Sequence, residues 1–228
     1  MEIDPTDTDV KLFLKAARKG AGNFVRTFLD DGMDPNVQDI AGWTALKFAA
    51  TNGNLRLVEL LLDRGADFGI GDDYDTTPLM AATIFGHLDV VALLLERGDN
   101  PNSQNDSMFT PLMYASRQCE RNYTEIAKLL LENGADPNIR NNYGKSAYDK
   151  TRYRDIMNLI EYHLLKRFLP SAQSLALVKS MESQQGPFSS IRYDPSLFNK
   201  VASYVPEYNR YAPDVSRRMR LEDEQRGK

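Results

Sequence analysis

The sequence predicts an all-α solenoid: a row of about five stacked helix–turn–helix units followed by a helical C-terminal extension. Three series of residues predict it, all in one phase. Thr44-Ala45-Leu46, Thr77-Pro78-Leu79, Thr110-Pro111-Leu112 and Ser146-Ala147-Tyr148 start equivalent segments at intervals of 33, 33 and 36 residues. Gly32, Gly65, Gly98 and Gly134 close apolar runs at the same intervals, and Asn36, Gly69, Asn102 and Asn138 follow them. A fixed period of this length marks a chain built from units that bury their apolar faces against one another.

Each unit decodes in order. Thr44, Thr77, Thr110 and Ser146 suit helix N-caps, and Pro78 and Pro111 sit at the first helical position, where a missing N–H costs nothing. A short alanine-rich helix follows ("LKFAA", "LMAAT", "LMYAS"), stopped in two units by Gly53 and Gly86. A second helix carries "LVELLL", "VVALLL" or "IAKLLL" and ends at a glycine suited to the left-handed terminating position. Small residues on the first helix let neighbours stack closely, and the Leu/Val stripe supplies buried area. The three extra residues of the fourth unit fall in "RQCERNY", predicting a longer loop between its two helices.

These motifs resemble the ankyrin repeat, over about residues 8–165. The units are expected at 9–38, 39–71, 72–104, 105–140 and 141–165, after an N-terminal segment 1–8. The resemblance implies β-hairpin loops between units. It also implies a histidine where this chain has Lys47, Met80 and Met113, so that histidine's hydrogen-bonding role is expected to be missing throughout. Asp75 and Met108 stand where Gly42 and Gly144 supply the turn, which predicts an irregular hairpin at Met108, because a side chain is costly at positive φ. In the last unit Thr151 and Arg152 replace alanines, as expected of a terminal cap whose polar side chains face solvent.

The tail departs from the period after Leu169-Pro170. A helix is expected in "SLALVKSMESQQGP" and a second in "DPSLFNKVASYVP", where Leu197, Phe198, Val201 and Val205 share a face. The extension 166–212 is expected to cover the last unit near Ile156, Leu159 and Ile160, and residues 213–228 form a charged tail.

Catalytic and metal chemistry find little support. There is one cysteine and there are two histidines, too few for a disulfide, a cysteine-cluster zinc site or a multi-histidine centre. No phosphate loop, Gly-x-Ser-x-Gly or His-Glu-x-x-His occurs. His87 reads as a turn-shaping residue, His163 as non-catalytic and Cys119 as a bystander thiol. The expectation is a chain that is not an enzyme, with no cofactor and no metal. The net charge of −4, with 11 Lys/Arg against 7 Asp/Glu only after residue 165, does not suggest nucleic-acid binding. The longest apolar runs are too short to span a membrane. The acidic, apolar-poor opening "MEIDPTDTD" does not read as a leader. A cytoplasmic chain, monomeric alone, is expected, with the nucleus as the alternative setting.

In ankyrin proteins ligands lie along the hairpin tips and first helices. Carried over position by position, the resemblance implies one or more protein partners bound at Ile40, Trp43, Tyr74, Thr76, Ile84, Phe85, Phe109, Arg117, Tyr143 and Lys145. Trp43, Tyr74, Phe85, Phe109 and Tyr143 are expected to form a solvent-facing aromatic stripe, since aromatics dominate interface energetics. Asn36, Asn102 and Asn138 are the positions the family offers to an asparaginyl hydroxylase, with a turn-bonding role as the plainer reading. An adaptor or pathogen effector, its repeats selecting a host target in the host cytosol and its tail recruiting machinery such as a ubiquitin ligase, is the alternative function.

Overall fold

The computed structural model describes residues 7–118 and 120–168, with side chains as far as residue 164. Among these are ten helices: α1 Asp7–Arg18, α2 Gly22–Asp30, α3 Ala45–Thr51, α4 Leu55–Asp63, α5 Pro78–Ile84, α6 Leu88–Glu96, α7 Pro111–Ala115, α8 Arg121–Glu132, α9 Ala147–Lys150 and α10 Arg154–Phe168. The chain divides into two compact units, Met1–Met157 and Asn158–Lys228. In the second, the structure describes the remainder of α10, where Leu159 and Ile160 are buried. The thiol reading of Cys119 and the two helices expected in the tail lie outside the described residues.

Local chemistry sets the helix starts. The hydroxyl of Thr44 accepts the Lys47 N–H at 3.1 Å, Thr77 that of Met80 at 3.4 Å and Thr110 that of Met113 at 3.3 Å. Ser146 does the same for Asp149, whose carboxylate takes the Ser146 N–H in return, completing a capping box. At the other end, Gly32, Gly65, Gly98 and Gly134 hold φ between 82° and 93°, the left-handed region that closes a helix.

First helices stack on first helices, α1 on α3, α3 on α5, α5 on α7 and α7 on α9, and second helices pack behind them. The core is the surface between units: Leu46, Leu79 and Leu112 from the first helices, and Leu61, Leu94 and Leu130 from the second, are fully buried. Alanines 49, 50, 82 and 115 admit this close approach.

Polar bonds tie each unit to the one before. The carbonyl near the end of α1, α3 and α5 accepts a side-chain donor from the following unit, and the donor differs every time. Asn52 Nδ2 reaches Arg18 O, His87 Nε2 reaches Thr51 O, and the Tyr123 hydroxyl reaches Ile84 O, each at 2.9 Å. The His87 ring fills the space beside Gly53, where a Cβ would lie 2.5 Å from the imidazole. His87 therefore shapes its neighbour's turn as well as its own.

The structure corrects several expectations. The insertion in the fourth unit does not simply lengthen a loop. It adds a turn to the second helix, so that α8 has 12 residues where α4 and α6 have 9. That turn carries Tyr123 to its carbonyl. The loops between units are tight turns, not stranded hairpins: among the described residues the one β-bridge is Gln38 to Thr44. The turn at Met108 is regular. Asp75 and Met108 take φ of 55° and 59°, close to the 74° and 67° of Gly42 and Gly144. The surrounding bonds force them there, at a cost of about 1–2 kcal/mol for an ordinary side chain and less for aspartate. Thr151 is buried, not solvent-facing; its hydroxyl accepts the Tyr153 N–H at 3.1 Å as α9 ends, and Arg152 alone of that pair is exposed.

One core position is badly served. Ala66 and Ala135 are buried just after their terminating glycines, and Asp99 occupies the same place in the unit between them. It is 5% exposed, and its Oδ2 has no hydrogen-bond partner. Burial, with the charge of Asp67 adding to it, pushes this carboxyl up to about 7 against the help of the Asn100 N–H. Because the folded state holds the proton more tightly than the unfolded one, stability is lost as pH rises from about 4 to about 7. Asp99→Ala should therefore stabilise the chain by about 1–3 kcal/mol at pH 8, with the gain shrinking towards pH 4. Denaturant unfolding at the two pH values checks this.

Candidate functional site

Four tips project from the stack, at residues 39–43, 72–76, 105–109 and 141–145. Each is built on one side-chain oxygen. Asp39 Oδ1 accepts the N–H groups of Ala41 and Trp43, both at 2.9 Å. Asp72 accepts those of Tyr74 and Thr76 at 3.0 and 2.9 Å. Asn105 takes Ser107 and Phe109 at 3.2 and 2.9 Å, and Asn141 takes Tyr143 and Lys145 at 3.0 and 3.1 Å. A backbone bond closes each turn: Gly42, Asp75, Met108 and Gly144 donate to the carbonyls of Asp39, Asp72, Asn105 and Asn141. Neighbouring tips are then linked edge to edge, Asp73 N to Ala41 O at 3.2 Å, Asp106 N to Tyr74 O at 3.1 Å and Asn142 N to Ser107 O at 3.2 Å. The tips form one continuous, internally bonded row.

Sequence reading missed these four acceptors, although they recur at 33, 33 and 36 residues like the other markers. The signal was present but divided between Asp and Asn, two residues of nearly the same shape.

The expected aromatic stripe splits in two. Of the residues just before the N-caps, Trp43 and Phe109 turn back onto their own first helices. Phe109 is 8% exposed, its ring 5.3 Å from that of Tyr114 with the Lys150 ammonium 5.1 Å away, so it is a packing residue and leaves the solvent-facing set. Trp43 is half-buried against Phe48, ring centroids 4.9 Å apart. Thr76 at the same position is half-buried, and Lys145 is exposed. The residues nearer the apex do face water: Ile40 is 102%, Tyr74 71% and Tyr143 72% exposed. At the ends of the first helices Phe85 and Arg117 are exposed, while Ile84 is half-buried and its carbonyl is taken by Tyr123. Of the seven large apolar side chains exposed among the described residues, Ile40, Tyr74, Met108 and Tyr143 stand one on each tip, and Phe85 follows the opposite end of α5.

Asn36 and Asn102 lie at the seams, not on the tips. Asn36 Oδ1 accepts the Asp67 N–H at 2.8 Å and Asn102 Oδ1 that of Asp136 at 2.7 Å, while their amides reach Gly65 O and Gly134 O. Each bolts its unit to the next one. Asn138 bonds Asp136 within its own turn.

Behind the second tip lies a charged pair that the sequence reading did not anticipate. Lys47 is 2% exposed, its ammonium pairs with the carboxylate of Asp72, and it lies 4.6 Å from the centre of the Trp43 indole. Desolvation lowers the Lys47 pKa, while bonding and attraction to Asp72 oppose the shift. The Asp72 carboxyl is also lowered: its own desolvation is outweighed by bonds from Lys47 and from the Thr76 and Tyr74 N–H groups. A polar role at this position is therefore filled in one unit, where it was expected to be missing throughout. In the next two units the same pair of positions reads Met80 with Asn105 and Met113 with Asn141, so the chain itself shows the neutral solution.

A double-mutant cycle tests the pair. Asp72→Asn keeps the two turn bonds but strands a buried ammonium, and should cost about 3–5 kcal/mol. Lys47→Met/Asp72→Asn copies the neighbouring units and should recover most of that loss, as measured by chemical denaturation. Equal losses in the single and double variants would show that the ion pair is not the cause.

A family model described as ankyrin repeats (3 copies) matches residues 12–105 and 70–141, together more than half of the chain. No curated protein matches the sequence.

Proposed function

The chain belongs to the ankyrin-repeat family, whose arrays are generally protein–protein interaction modules, and we propose that this one binds a partner protein along its row of tips and adjoining first-helix ends. The observation that carries the proposal is the placing of Ile40, Tyr74 and Tyr143, largely bare of protein contacts, on three turns that are each held by an internal oxygen acceptor. Apolar side chains on a preformed support lose little entropy on binding. Phe85 and Arg117 extend the surface onto the first helices, with Ile84 and Lys145 at its margin. Trp43 and Phe109 support it from behind.

The proposed role is recognition, as is typical of a family that is generally non-enzymatic. Among the described residues no group of three His, Cys, Asp or Glu side chains is arranged to hold a metal ion, and no helix is long and apolar enough to cross a membrane. The adaptor alternative depends on the C-terminal extension, which the structure describes only to residue 168.

The combined replacement Ile40→Ala, Tyr74→Ala and Tyr143→Ala should leave the circular dichroism spectrum and the unfolding midpoint unchanged, because these side chains bury little. Proximity labelling with the wild type and the variant should show a set of proteins lost from the variant. Identical sets would move the interface elsewhere.

A further inference from the structure

The seam between the first two units is open where the next seam is filled. At the turn from first helix to second, the first three units read Gly20-Ala21-Gly22, Gly53-Asn54-Leu55 and Gly86-His87-Leu88. The backbone follows one course in all three. The N–H of Gly22, Leu55 and Leu88 reaches the carbonyl of Gly20, Gly53 and Gly86 at 2.9, 3.0 and 3.1 Å. Gly22 is not at positive φ, and a Cβ placed on it would meet nothing within 4 Å. The fold therefore makes no demand for glycine there. On the facing unit, Asn54 holds the position that His87 holds one unit later, where the imidazole ring packs against Gly53. Two large side chains are missing from one seam.

What remains is a groove of about 570 Å³, within the size range of ligand-binding pockets. Leu57 and Leu60, 2% and 9% exposed, form its apolar floor, and Phe24 beside them is 69% exposed. Arg26 and Arg56 also line it, both exposed, and neither is ion-paired among the described residues. No acidic side chain lines it. The groove lies where first helices give way to second ones, at the other end of the first helices from the tips. It shares no residue with the surface proposed above.

We propose that this groove is a second protein-binding site, taking a segment that carries an aromatic or large aliphatic side chain next to Asp or Glu. The apolar side chain lies over Leu57 and Leu60 against Phe24, in the room left by Gly22 and Asn54. The carboxylate pairs with Arg26 and Arg56, whose planar guanidinium groups match its geometry. The sign of the groove opposes a basic segment. The net charge of −4 on the whole chain opposes nucleic acid.

The test uses the full-length chain, a displayed library of random peptides, and the variant Gly22→Leu, which copies the second and third units. Peptides retained by the wild type and lost by the variant are made synthetically and their affinities measured. They should pair an aromatic or large aliphatic residue with Asp or Glu, and bind less tightly as salt rises. Arg26→Gln/Arg56→Gln should weaken them at least about tenfold. Ile40→Ala/Tyr74→Ala/Tyr143→Ala should leave their affinity unchanged, so that the two surfaces stand or fall separately. The unfolding midpoint of Gly22→Leu should lie at or above that of the wild type, because leucine is the better helix former. The proposal is overturned if no peptide separates the wild type from Gly22→Leu, if those that do are basic or neutral, or if they ignore both arginines. Peptides lost with the tip variant would belong to the tips and would overturn it too. So would a lowered midpoint in Gly22→Leu, which would make the glycine a requirement of the fold, or groove-dependent binding of a single-stranded oligonucleotide in place of peptides.

Discussion

No unit of this chain can bury its own apolar side chains, and that constraint governs everything else in the structure. A pair of short helices has one apolar stripe and nothing within the unit to cover it. Leu46, Leu79 and Leu112 become fully buried because the next unit supplies the cover, and small alanines let it approach. The same stacking brings carbonyl groups at the ends of the first helices within reach of a side chain from the following unit. Asn52, His87 and Tyr123 meet that demand with three different donors. Such variety shows that the requirement is for a donor at a place, not for a particular residue.

Stacking also brings the tips into register, and there stability and exposure separate. The acceptors Asp39, Asp72, Asn105 and Asn141 hold the backbone, so the side chains nearer the apex need not contribute to folding. Two of the residues preceding the N-caps fold back to seal the tip against its helix, Trp43 on Phe48 and Phe109 on Tyr114. The surface thus has a supporting layer and a presenting layer within five residues of chain. Core quality varies in parallel: Asp99, with an unpartnered oxygen where its neighbours have alanine, lies near the seam at which Gly69 replaces the bridging asparagine of Asn36 and Asn102. The middle of the array therefore carries both the strained tips and the least satisfied seam.

Most of the fold was legible in the sequence because its signals are local and repeat. A threonine cap, a proline at the first helical position and a closing glycine each act within a few residues, and three series in one phase leave little freedom. What was not legible depends on contacts between units. The spacing that placed Trp43 and Phe109 on the tips was right about backbone position but silent about side-chain direction, which packing on Phe48 and Tyr114 decides. The three inserted residues gave no sign that they would join α8, because the reason is the distant Ile84 carbonyl that Tyr123 reaches. Lys47 looked like a lost histidine until Asp72, 25 residues away, came beside it. The positive φ of Met108 was predicted as a difficulty, and the bonds of the tip hold it in place nonetheless.

The central claim is that the tips are a rigid, preformed row and not loops that order on binding. Amide hydrogen exchange on the full-length chain, without a partner, tests it most directly. The N–H groups of Ala41, Tyr74, Ser107 and Tyr143 belong to exposed turns, yet each donates to an aspartate or asparagine oxygen. The account predicts that they exchange far more slowly than unstructured peptide amides, with protection approaching that of the helices behind them. Exchange at the rate of an unstructured peptide would contradict a preformed surface.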